Sequence, residues 1–189
     1  MTSELSGLVL MNDFITMEQE KELLEFIDSP ENTWNDMLKR RTMHFGYEYN
    51  YNKKGSLTNA KEIPEQFKWL VDSIFDRIGD KNQPINQIII NEYLPGQGIS
   101  SHIDSNSFGD IIVSVSLGTD AIMEFSKVTM TSTKKVNVLL TRCSAVFLSG
   151  ESRYEWRHSI PARKTDTLED GTKIIRARRI SMTFRHVKI

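Results

Sequence analysis

A lone cysteine and the absence of any long apolar run close off several routes for this chain. With one cysteine in 189 residues, Cys143, there is no internal disulfide and no pair of thiolates to hold zinc. Its setting, LLTRCSAVFL, reads as a small buried hydrophobe with no chemistry of its own. No stretch approaches the ~20 apolar residues a spanning helix needs. The start, MTSELSGLVLMNDF, lacks the basic and then apolar pattern of a secretion signal. The expectation is an intracellular protein, cytoplasmic or nuclear, with no membrane partner. Internal repeats, low-complexity tracts and linkers are missing as well, so one domain over 1–189 is the economical reading. That length is enough for a hydrophobic core without staples.

Net charge is also nearly absent, at −1, but it is unevenly drawn. Residues 1–126 carry 10 basic against 20 acidic side chains, and residues 127–189 carry 14 against 5. Such a division points to a basic face that meets a polyanion, unless the two halves intermingle in space.

Two helices open the chain. Thr16 and Gln19 form a capping-box pattern ahead of Leu23, Leu24 and Ile27, and a second apolar stripe (Phe67, Leu70, Val71, Ile74, Phe75, Ile78) follows Pro64 and stops at Gly79. From about residue 86 the period changes to short β-rich segments: NQIIINEY, IIVSVSLG, AIMEF, KVNVLL, SAVFLSG, YEWRHSI and RRISMTFRHV. Helices followed by a run of strands predict an α+β fold, with the strands in a sandwich or barrel.

Chemistry concentrates in NEYLPGQGISSHIDSN, residues 91–106. Pro95 and Gly96 suit the middle of a turn that delivers the chain into SHID. If 102–104 is extended, His102 and Asp104 project from one face, about 6–7 Å apart at the backbone. A third, histidine ligand would complete the 2-His-1-carboxylate set of non-haem iron. Spacing alone leaves His44, His158 and His186 as candidates for that third place. In the last strand Arg179, Ser181, Thr183 and Arg185 share one face, while Ile180, Met182 and Phe184 share the other. The two guanidinium groups, roughly 20 Å apart along the strand, suit the ends of a small dicarboxylate or a solvated basic edge.

Together NEYLPGQGISSHID, GESRYEWRHSIPARK and RRISMTFR resemble the AlkB family of Fe(II)/2-oxoglutarate dioxygenases, from about residue 40 onward. The resemblance implies a double-stranded β-helix (jelly-roll) over about 86–189, with N-terminal helices and a nucleotide-recognition lid over about 1–85. It makes His102, Asp104 and His158 the iron ligands and the catalytic centre, with 2-oxoglutarate and O₂ as co-substrates. Asn91, Tyr93, Arg179 and Arg185 would hold 2-oxoglutarate. Tyr47, Tyr49, Asn106 and Arg153 would meet the substrate, although Tyr47 and Tyr49 also read as an aromatic strand packing on the helices. Asn106 stands where direct-repair members often carry a second aspartate. The surrounding motifs look most like the branch that hydroxylates a modified wobble uridine in tRNA, where an RNA-recognition domain and a methyltransferase commonly flank the oxygenase. The implied partner is therefore nucleic acid, RNA (tRNA) ahead of DNA, acted on by a monomer that either works alone or borrows a separate methyltransferase or RNA-binding partner. Oxidative demethylation of N-alkylated bases, a protein or small-molecule hydroxylase, and a silent RNA-binding jelly-roll are the alternatives.

Overall fold

The computed structural model describes residues 5–50, 56–79 and 83–188, the side chains of 49, 50 and 56 excepted. Strand β1 (Leu8–Met11) leads to helix α1 (Met17–Ile27), strands β2 (Thr42–Phe45), β3 (Tyr47–Asn50) and β4 (Ser56–Asn59), and helix α2 (Lys68–Ile78). The strand-rich part holds β5 (Gln87–Tyr93), β6 (Ile99–His102), β7 (Ile112–Gly118), β8 (Ala121–Val128), β9 (Thr133–Leu140) and β10 (Ala145–Leu148). After a short helix α3 (Gly150–Tyr154) come β11 (Arg157–Ile160), β12 (Thr165–Thr167), β13 (Lys173–Ile175) and β14 (Arg179–Arg185).

The helix ends follow their local chemistry. Thr16 Oγ1 accepts from the Gln19 amide while the Gln19 side chain accepts from the Thr16 amide, so two donors that the first turn leaves over are satisfied. At the far end of α2, Gly79 takes the left-handed conformation and its N–H reaches the Phe75 carbonyl. One expected strand begins later than YEWRHSI suggests. Ser149 and Ser152 form a reciprocal cap that starts α3, and β11 opens only at Arg157. β1 is an edge strand absent from the sequence reading, held by antiparallel pairing to β10.

Two antiparallel sheets make the sandwich. The major sheet has the order β1-β10-β7-β14-β5-β2, and the minor sheet β6-β11-β8-β9. Alternation along the central strands of the major sheet sends Ile88, Ile90, Val115, Ile180 and Met182 outward onto α1 and α2, where Leu23, Ile27, Leu70 and Ile74 complete one core. The opposite face looks toward the minor sheet, and a second core of Tyr93, Met123, Phe125, Val146 and Ile160 fills part of that space. The polar residues of β14 and β7 point into the rest of it. The architecture is the α+β jelly-roll that the resemblance implies. β14 lies between β7 and β5, so its arginines line an interior and not a solvated edge.

Candidate active site

β6 and β11 are antiparallel neighbours whose register sets His102 directly against His158, with ring centroids 4.4 Å apart. Two glycines make this approach possible. Gly96 sits at φ 87° in a turn closed by Gln97 N–H on the Leu94 carbonyl. Gly98 runs so close to β11 that a Cβ there would lie 2.2 Å from the Ile160 carbonyl oxygen. The extended stretch expected to reach Asp104 stops at His102, and a loop carries Asp104 inward. One potential ligand atom from each of His102, Asp104 and His158 lies within 4.8 Å of the others. This donor set, two imidazoles and a carboxylate, suits divalent iron with coordination positions to spare. His44 and His186 are elsewhere: His44 Nε2 is near Thr42 Oγ1, and His186 Nδ1 donates to the Pro84 carbonyl.

Each member of the trio is oriented by its neighbours. His102 Nδ1 lies 2.8 Å from the Ser100 carbonyl. A carbonyl cannot donate, so Nδ1 carries the hydrogen and Nε2 keeps its lone pair. Asp104 accepts through Oδ1 from Arg185 Nη2 at 2.8 Å, and its Oδ2 stands 3.5 Å from His158 Nε2. Burial alone would raise the Asp104 pKa, but Arg185, His158, His102 and Arg153 together hold it below the ordinary carboxylate value. Burial also pushes His158 down to about 4, which keeps the ring neutral. Arg153 is 1% exposed and gives its guanidinium hydrogens to the carbonyls of Asp104, Ser105 and Gly109. Those hydrogen bonds tie it to the Asp104 loop, and its guanidinium also lies 4.7 Å from the Tyr154 ring centre.

The rest of the pocket comes from β5, β7 and β14. Register sets Arg179 against Tyr93 and Ser181 against Asn91, so those four residues share the inner face. Ser114 Oγ lies 2.8 Å from Ser181 Oγ and 3.4 Å from Thr183 Oγ1, a row of hydroxyls between the two arginines. Arg179 is 3% exposed and donates to Ser116 Oγ at 2.7 Å, with its guanidinium 5.6 Å from the Tyr93 ring centre. Its Nε is buried without a partner, and no carboxylate among the described residues pairs with it. Burial lowers its pKa. A buried guanidinium with an unused donor is a receptor for an anionic group supplied from outside.

Asn106 is exposed on the turn after Asp104. Tyr47 packs partly buried against Phe108, Ile112 and Val187, and the Tyr49 side chain lies outside the described residues. Sequence reasoning missed Arg40, which is 9% exposed and donates from Nε to Asn91 Oδ1 at 2.9 Å. The only signal for it is its place two residues before Thr42, which register sets against Asn91. Of the two outcomes left open for the divided charge, intermingling accounts for many of the C-terminal cations. Arg142 pairs with Glu20, Arg178 with Asp28 and Glu92, Arg163 with Glu124, Arg185 with Asp104 and Lys188 with Asp110, so much of the C-terminal excess is neutralised by the acidic half.

Comparison with known proteins agrees with this geometry. Residues 7–185 match the model of the 2OG-Fe(II) oxygenase superfamily. The tRNA (carboxymethyluridine(34)-5-O)-methyltransferase ALKBH8 of Macaca fascicularis is 37% identical over 96% of this chain, which spans 30% of that protein. The alkylated DNA repair protein ALKBH8 homolog of Arabidopsis thaliana is 36% identical over 96% of the chain, which spans 58% of it. The solved structure of OsALKBH1 shares the fold, with a TM-score of 0.68 at 18% identity, covering 95% of this chain and 96% of that one.

Proposed function

The chain belongs to the AlkB family within the 2OG-Fe(II) oxygenase superfamily, and on that premise we propose that it oxidises a base in nucleic acid, by hydroxylating a modified wobble uridine of tRNA. The observation that carries the reading is the trio of His102, Asp104 and His158, the last two buried, opening into the pocket that holds the Arg179 guanidinium with its unused donor. In this reading His102 Nε2, Asp104 Oδ2 and His158 Nε2 hold Fe(II). Arg179 takes the far carboxylate of 2-oxoglutarate, with Asn91, Tyr93 and Arg185 as its further neighbours in the pocket. When bound, the iron and its co-substrate supply O₂ activation coupled to oxidative decarboxylation to succinate and CO₂.

The protein's own part is orientation. Ser100 fixes the His102 tautomer, Arg185 restrains Asp104 through one oxygen and leaves the other for metal, and Arg153 fastens the loop that carries it. The helices and the major sheet share one core, which supports treating 1–189 as a single oxygenase domain.

The tRNA substrate rests on the ALKBH8 relatives and on Asn106, a neutral amide in the place of a carboxylate that would favour a cationic alkylated base. The methyltransferase activity in the macaque protein's name belongs to that longer chain. The test is to incubate the protein with Fe(II), 2-oxoglutarate and tRNA from cells lacking the hydroxylation, then measure succinate and digest the RNA for nucleoside mass spectrometry. A gain of one oxygen on the wobble nucleoside is expected, and His102→Ala abolishes it. Formaldehyde with loss of a methyl group from an N-alkylated base would move the activity to direct demethylation. Succinate without any nucleoside change would remove nucleic acid as the substrate.

A further inference from the structure

The ion pairs leave few cations free in the basic half of the chain. Among the described residues from 127 onward, Lys134, Lys135, Arg157, Lys164 and Lys173 are the exposed basic side chains without a carboxylate partner. Three of the five gather at one end of the minor sheet. His158 and Phe125 point into the interior, so alternation turns Arg157 and Ser126 outward on β11 and β8. Val136 and Val138 pack inward on β9, which turns Lys135 outward. Register aligns Arg157 with Ser126 and Ser126 with Lys135, a single row across three strands and roughly 10 Å wide. Lys134, opposite Lys127, belongs by the same alternation to the other face of β9 and stands apart from the row.

This row lies at the iron end of the sheet. Arg157 immediately precedes His158, and its guanidinium is held over β6 by Ser101, the residue before His102. Nη2 donates to the Ser101 carbonyl at 2.5 Å and Nε to its hydroxyl at 3.3 Å. Its Nη1 has no protein partner among the described residues. The carboxylates of Glu151 and Glu155 pair with Lys127 and not with Arg157 or Lys135.

We propose that Arg157 and Lys135 form a phosphate-binding track for single-stranded RNA, gripping the backbone next to the nucleotide whose base enters the iron pocket. The proposal rests on the nucleic-acid reading above. A base withdrawn into a pocket leaves its flanking phosphates at the rim, where cations fix strand direction without reading sequence. Arg157 is the anchor, because Ser101 has already ordered it and less freedom is lost on binding. Lys135, across Ser126 from Arg157, adds charge along the strand.

The test is equilibrium binding of a synthetic anticodon stem-loop RNA to the intact protein, by fluorescence anisotropy across a salt series. The exposed positions tolerate substitution, and thermal melts of each variant check the fold. For the double variant K135Q/R157Q, affinity at low salt falls roughly tenfold and the slope of log affinity against log salt shrinks by about 2. The control K164Q/K173Q, at the other end of the sandwich, binds as the wild type does. Salt-steep wild-type binding that the double variant reproduces would overturn the track alone. A wild-type protein with no salt-dependent RNA binding would overturn the track, and failure of the nucleoside assay beside it would take the nucleic-acid reading too.

Discussion

Asn91 shows how much one neighbour decides. Arg40 Nε can only donate, so the atom of Asn91 that faces it is the carbonyl oxygen, and the amide hydrogens are left for the pocket. An acceptor-only ligand such as a keto acid needs that orientation. Arg40→Ala therefore raises the 2-oxoglutarate Kd of metal-loaded protein roughly tenfold, with metal affinity unchanged; equal loss of both would mean that Arg40 merely supports the fold. A second consequence concerns protons. Burial lowers the His158 pKa to about 4 and also lowers that of His44, whereas an unfolded imidazole titrates near 6.5. Between those values the unfolded chain takes up protons that the folded metal-free protein refuses, so stability is full above about 6.5 and declines as pH falls toward 4. Urea midpoints measured at stepwise pH check this, and a flat profile across that window would contradict it. The sequence exposed His102 and Asp104 but not their partner. His158 is chosen by cross-strand register, which spacing does not reveal, and Arg40 is 51 residues from the amide it holds.

Strand and helix patterns were easier to read than single contacts. The alternation in RRISMTFR survives intact, with apolar residues on the helical core and arginines on the inner face. The Thr16 cap and the Gly79 stop are local signals, and both hold. Where reading failed, the deciding interaction was short and competed with a β-rich pattern, as Ser149 does in starting α3. Gly98 stands just past the expected Pro95–Gly96 turn, and its chief service is close passage beside β11. Gly98→Ala forces a methyl onto the Ile160 carbonyl, and an overpacked contact of this kind costs about 1–3 kcal/mol. The expected result is a lower urea midpoint with weaker Co(II) binding, since β6 carries His102. Unchanged metal affinity in a destabilised variant would separate the strand contact from the site.

The two halves of the chain, acidic and basic, are interleaved in space. Glu20 on α1 is fully buried, accepts from the Gly118 amide at 2.7 Å through one oxygen, and pairs with Arg142 through the other. Glu20→Ala strands a buried amide and removes the tie between α1 and the β7–β8 turn, a loss of about 1–3 kcal/mol by the usual cost of an unsatisfied group. A melt that matches the wild type would show that water replaces the carboxylate. α+β class and strand content were legible because they depend on periodicity. The mutual neutralisation of charge was not, because it depends on which strands meet.

The position of β14 has a temporal side. Ribosomes release a chain from its N-terminus, so the strand that fills the middle of the major sheet and brings both pocket arginines emerges after its neighbours β5 and β7. Until it inserts, those two strands have open edges toward each other, and the pocket lacks its receptor for the anion. Competence for the co-substrate therefore arrives in a single late step, and a nascent chain halted before Arg179 is expected to be both inactive and prone to pair its exposed edges with other molecules.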